Sequence, residues 1–266
     1  MASVVWLQET CHREHFIQRV LENEVGEPNA KSILIKPNIV CPEGYPSTTH
    51  QATLRSVLQY FLPYEKEILV ADGPAFDAGD SKEIIQSHAL KVVCDELGVE
   101  LVDLSSGEFT TVRAGDYDLE MSSIPFEFDF LVSLPVLKSH FVCDLTGALK
   151  NQFGFLSPKQ KRDAHFHKDV HRVIAQLNTI IKPHFYIVDA VETLVGAQEV
   201  RHGGKPRALG YMLASRDPLS LDIVGLELLK KVEPRLQTKS YVDIAHVKHA
   251  KGLGIGQTSY TIRNLD

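Results

Sequence analysis

The chain has 266 residues, 44% of them hydrophobic, enough to bury a sizeable core in one large domain or two small ones. A formal net charge of −6 gives no overall basic field of the kind that draws a protein to nucleic acid or to an anionic membrane, so neither is an expected partner. The start, MASVVWLQETCHREHF, lacks a basic segment followed by a long apolar run, and no stretch approaches the roughly 18 apolar residues that span a bilayer; the expected location is cytoplasmic.

In chain order, ILIKPNI (33–39), EILVADG (67–73), VELVDL (99–104), FDFLVSLP (128–135) and HFYIVDAV (184–191) are the strand candidates, short and rich in Val, Ile and Leu. Between the first two, Leu54, Val57, Leu58, Phe61 and Leu62 keep the spacing of a one-faced helix. Thr48 or Thr49 would cap it. After ADGP, Asp80 and Glu83 read as an N-cap pair opening a helix that Gly98 closes. TTVRAG and DLEMSS, within 105–125, alternate weakly and fit a small hairpin. A second one-faced helix carries Val170, Val173, Ile174, Leu177, Ile180 and Ile181. HGGKPRALG (202–210) reads as a loop able to close over an anion or as plain surface, and DPLSLD (217–222) as a helix start capped by Asp217. KGLGIGQ (251–257) reads as a flexible tail, since no strand precedes it and no helix follows. Strands alternating with helices predict one α/β domain with a mainly parallel sheet covered by helices on both faces.

In such sheets ligands gather where strands end at their carboxyl edge. KPNIVCPEGYPSTTH, ADGPAFDAGD, LPVLKSH and DAVETLVG all become polar at that point. Lys36, Asn38, Thr49 and Lys138 are therefore candidate holders of a small anionic metabolite, although a lysine before Pro-Asn also suits a solvated turn. In GALKNQFG, Lys150 and Asn151 lie between glycines that permit close backbone approach, a setting for a lysine held against a ligand. His140 is a candidate acid/base, and Asp189 is placed to orient a histidine or a metal ligand. His167 and His171 are four apart, as two ligands on one helix face would be, with His165 just before them. The four cysteines, Cys11, Cys41, Cys94 and Cys143, are far apart, show no CxxC, and read as free thiols in a reducing compartment.

KPNI with its following TTH, ADGP, DFLVSLPVLKSH, TGALKNQFG, His165, IVDA and DPLSLD together resemble the family catalogued as domain of unknown function 362, over about 33–225. Many members of that family carry an added cysteine segment for an iron-sulfur cluster, which is missing from this sequence. The order His140, Lys150, His165 is more distantly similar to the nickel-pincer lactate racemase family. That resemblance implies His140 as an acid/base, Lys150 as the attachment point of a pyridine-derived nickel cofactor, and His165 or His167 as a metal ligand. The racemase pattern also has a histidine after the strand that here ends in ADGPAFDAG; this segment has none, and a two-histidine racemisation does not carry over.

The combined expectation is an enzyme acting on a small anionic metabolite by lysine/histidine acid-base or cofactor-assisted proton or hydride transfer, racemase/epimerase-like or redox. Its cofactor would be a divalent metal (nickel, zinc or iron) or a lysine-linked pyridine-type group. The alternative is a non-catalytic metal-binding or iron-sulfur-associated redox partner protein, with His165, His167 and His171 as the ligands.

Overall fold

Side chains alternate across each extended segment, and this decides which layer each residue joins. Val5 and Leu34 pack into one core, while Trp6, Ile33 and Ile35 pack into the other, on the opposite face of the same sheet. The computed structural model describes residues 2–265. Its strands are β1 (Ser3–Glu9), β2 (Ser32–Lys36), β3 (Glu67–Asp72), β4 (Glu100–Asp103), β5 (Phe109–Ala114), β6 (Tyr117–Ser122), β7 (Phe130–Ser133), β8 (Lys138–His140), β9 (Asp144–Thr146), β10 (Phe185–Val195), β11 (Lys205–Ser215) and β12 (Tyr260–Arg263).

The described residues form an eight-stranded sheet in the order β12-β1-β11-β10-β7-β2-β3-β4. From β10 to β4 every neighbour is parallel, as the apolar runs predicted. β11 is antiparallel to both β10 and β1, and β12 lies parallel to β1 at the edge. All five residues of β2 are buried, the pattern of a strand covered on both faces.

One face is covered by α1 (Arg13–Glu24), α2 (Gln51–Phe61), α3 (Ser81–Ser87) and α4 (Ala89–Leu97). The other carries α5 (Ala148–Asn151), α6 (Pro158–Phe166), α7 (Val170–Ile180), α8 (Pro218–Leu229) and α9 (Ala245–Gly252), together with the β5–β6 hairpin. This is the expected α/β architecture with helices on both faces. None of the described helices is long and apolar enough to cross a membrane.

Four local expectations are corrected. The helix from Asp80 to Gly98 is two helices: Asp80 caps α3 through the Glu83 N–H and Gly98 closes α4 at φ 68°, but His88 breaks the run by taking an extended backbone and capping α4 with its own ring. The cap of α2 is not Thr48 or Thr49 but His50, whose Nδ1 accepts from the Ala52 N–H. Most of 202–210 is strand rather than loop, because from Lys205 onward it pairs with β10. The 251–257 segment is no tail: Asp217 accepts from the Gln257 N–H, the Ser220 hydroxyl donates to the Gln257 carbonyl, and the chain continues into β12. Asp217 also caps α8 as expected, accepting from the Ser220 N–H with Pro218 in the first turn.

Candidate functional site

β2, β3 and β7 run the same way, so the segments leaving Lys36, Asp72 and Ser133 open on one edge of the sheet. There the β8–β9 hairpin and α5 fold back over the strand ends and enclose a cavity of about 400 Å³. Of the residues singled out in the sequence, the cavity gathers Lys36, Asn38, Lys138, His140, Lys150, Asn151 and His165.

Two glycines make this closure possible. A Cβ at Gly147 would run into the Asp222 carboxylate, and one at Gly154 into Asp72 and the Lys36 ammonium. Asp222 accepts from the N–H groups of Ala148 and Leu149, at 2.6 and 3.1 Å, and so fixes the turn that presents Lys150. Burial pushes the Asp222 carboxyl up to about 7, against the pull of those two donors.

The lysines of the cavity fall into two kinds. Lys36 is ion-paired with Asp72 at 2.5 Å and donates to the Pro37 carbonyl; burial still lowers its ammonium below the ordinary lysine value. Lys138, Lys150 and Lys161 have no carboxylate oxygen in salt-bridge range among the described residues. Lys138 donates to Asn38 Oδ1 at 3.0 Å and to the Ser47 carbonyl, and burial lowers it to about 8. Lys161 donates to the carbonyls of Gly73 and Pro74, both at 2.9 Å, and burial lowers it to about 7. Lys150 makes no hydrogen bond to another described residue; its ammonium lies 4.9 Å from the centre of the Phe153 ring.

His165 stands between Phe153 and Phe76, with ring centres at 5.4 and 5.6 Å, and burial next to Lys150 lowers it to about 4. The buried His140 is held well below the ordinary histidine value, by burial first and then by Lys150. Phe141 and Phe166, largely exposed at the mouth, give the opening an apolar rim. Asn151 donates from Nδ2 to the Ser133 hydroxyl at 2.9 Å and to the Lys36 carbonyl, leaving its buried Oδ1 without a partner.

Four candidates lie elsewhere. Thr49 does not line the cavity: its hydroxyl donates to the Leu134 carbonyl and accepts from the Asn38 N–H, which uses its only proton within the fold. Asp189, fully buried, is taken up by Arg13 at 2.6 Å and by the hydroxyls of Tyr45 and Thr53, both at 2.8 Å, and orients no histidine. The three-histidine ligand set does not assemble. α6 ends before His167 and a new helix begins after Asp169, so the four-residue spacing of His167 and His171 spans a break instead of one helix face. His167 is exposed, His171 stacks on His246 with ring centres 6.3 Å apart, and only His165 reaches the cavity. Among the described residues no group of three or more His, Cys, Asp or Glu side chains is arranged to hold a metal ion.

Sequence reasoning missed Asp72, Lys161, Phe76, Phe153, Glu199 and His202, which also line the cavity. Asp72 had a signal, being the first polar residue after an apolar strand. Lys161, in PKQKRD, looks like any lysine of a solvated helix.

A lysine- and histidine-lined cavity lies at the carboxyl edge of the parallel strands of an α/β fold. The family model for domain of unknown function DUF362 matches residues 33–227, and the chain belongs to that family. A thylakoid-associated protein of Synechocystis is 26% identical over 205 residues, covering 74% of this chain; the chain spans 63% of that relative's length. Among solved structures, the lactate racemase apoprotein of Thermoanaerobacterium thermosaccharolyticum superposes with a TM-score of 0.56 at 15% identity, covering 86% of this chain and 57% of the other. A Thermotoga maritima protein gives 0.50 at 12% identity, with 85% and 58% covered. These structural likenesses establish a shared fold.

Proposed function

We propose that the protein is an enzyme acting on a small anionic metabolite, by proton or hydride transfer at a carbon next to a carbonyl or hydroxyl. The observation that carries this reading is Lys150: a half-buried cation lining the cavity next to His140 and His165, with no hydrogen bond to a described residue and no carboxylate of one in range. A buried-edge cation without an internal partner is stabilised by an anion from outside, and an amine so placed is also free to react. Lys138, donating to Asn38, is the second holder of the anion, and His140 presents its ring to the same cavity.

A metal held by protein side chains alone does not fit the donors of the cavity. A group attached through an amine does: Lys150 would hold it, His140 and His165 would stand beside it, and it would supply hydride-accepting chemistry. A cytoplasmic setting belongs to the same proposal, since all four cysteines are free thiols.

Two measurements test the reading. Protein purified from its own host is weighed intact, native and denatured; an excess that survives denaturation and maps to Lys150 supports the attached group, and one lost on denaturation supports a bound ligand. A panel of 2-hydroxy and 2-oxo acids is then followed in deuterium oxide for exchange at the adjacent carbon, where Lys150→Ala is expected to lose about 100-fold or more, as for a group acting on the reacting centre. No mass excess together with no exchange overturns the proposal.

A further inference from the structure

Among the described residues, Nδ1 of His50, His88, His140 and His184 accepts a backbone N–H, but His140 alone of these accepts two and lines the cavity. It ends β8, and the turn that follows folds back so that the N–H groups of Val142 and Cys143 both donate to its Nδ1, at 3.1 and 3.2 Å. A nitrogen that accepts from two donors carries no proton, which places the proton of the neutral ring on Nε2. His88 uses Nδ1 in the same way, accepting from Leu90, but its Nε2 is met by the Glu43 carbonyl and the Thr48 hydroxyl, both at 3.2 Å. Nε2 of His140 meets no described residue, and the ring lines the cavity.

We infer that His140 is a fixed hydrogen-bond donor, neutral and with Nε2–H available to the cavity, that receives an oxygen of a carbonyl, enolate or carboxylate ligand and is not the base that removes a proton. This rests on reading the cavity as a substrate site. Accepting a proton would require an N–H at Nδ1, pointed at two backbone N–H groups. The titratable groups acting on the ring, Lys150, His165, Lys138 and His246, all disfavour a further positive charge, and no carboxylate among them offsets burial. A donor fixed beforehand stabilises charge developing on an oxygen without reorganising. The substrate class is thereby narrowed to anions with an oxygen at the reacting centre, and proton removal falls to another group.

The test needs no substrate, so its failure is distinct from failure of the catalytic reading. In long-range ¹H–¹⁵N spectra of the full-length protein, the His140 ring is identified by its proximity to the amide protons of Val142 and Cys143. The expected result is an unprotonated Nδ1 and a protonated Nε2, unchanged from about pH 5 to about pH 8, where a free histidine titrates. A proton on Nδ1, or a midpoint near the ordinary 6.5, overturns the inference. In the exchange assay His140→Ala should lose about 100- to 1,000-fold, the usual cost of removing one such donor, and His140→Gln, which keeps an N–H, should recover part of it. Equal loss in both variants also counts against a donor role.

Discussion

Two clusters of charge lie close to the same sheet and are built on opposite rules. Around Asp189, fully buried, both carboxylate oxygens are occupied: Arg13 and Thr53 donate to Oδ2, and Tyr45 and the Val191 N–H to Oδ1. On the floor of the cavity three lysines are left without carboxylates, and one of them without any hydrogen bond to a described residue. A closed network holds elements together, here α1, α2 and β10. An open one leaves cations met only by neutral oxygens or by whatever enters the cavity.

The largest effect should come from breaking the closed cluster. Asp189→Ala leaves Arg13 without its partner beside a fully buried site and is expected to cost about 3–5 kcal/mol in urea unfolding. Lys150→Ala, in the open cluster, should change stability by less than about 1 kcal/mol while removing exchange activity. The reverse pattern would mean that the two clusters have been assigned the wrong way round.

Next in size is the wall between strand ends and cavity. Gly154→Ala forces a methyl against Asp72 and Lys36, neither of which can withdraw without breaking their ion pair, and an overpacking cost of about 1–3 kcal/mol is expected from thermal or urea melts. Retained stability in this variant would show that the pair tolerates displacement.

The difference between the clusters also explains what could be read from the sequence. β2, β3, β4, β7 and the first half of β10 were legible because a strand covered on both faces must be an apolar run. β1 and β11 were not, since outward polar residues interrupt them: Gln8 and Glu9 in one, Lys205 and Arg207 in the other. In the site, Lys138, His140 and Lys150 stood out because polar residues followed apolar runs or sat between glycines. Asp189 stood out by the same rule and proved structural: it lies inside β10, which runs on to Val195, and an apolar run turning polar says that a polar side chain is buried there and not what it meets. Lys161 had no signal at all: its burial is decided by Gly73 and Pro74, 88 and 87 residues away in the chain.

Lys161 provides a pH test of the open cluster. Its folded-state value is lowered to about 7 from 10.5, so between those limits the unfolded chain binds the proton and the folded chain does not. Stability attributable to this group therefore rises with pH through that window, with a slope of at most about 1.4 kcal/mol per pH unit for a single proton. Comparison with Lys161→Met removes the contribution of every other group: any advantage of the methionine variant in urea unfolding should shrink from pH 7 toward pH 10. A constant difference would mean that Lys161 stays charged, satisfied by its two carbonyls.

The smallest effect is expected at His167, and it sharpens the comparison from outside both clusters. An exposed ring at the end of α6 meets neither the cavity nor the stacked pair of His171 and His246. His167→Ala should leave the melting temperature, the intact-mass pattern and exchange activity unchanged, whereas His165→Ala should alter the last two. The two histidines are only two residues apart and point different ways, so a difference between them would arise from direction and not from local composition. Equal effects would return His167 to the site.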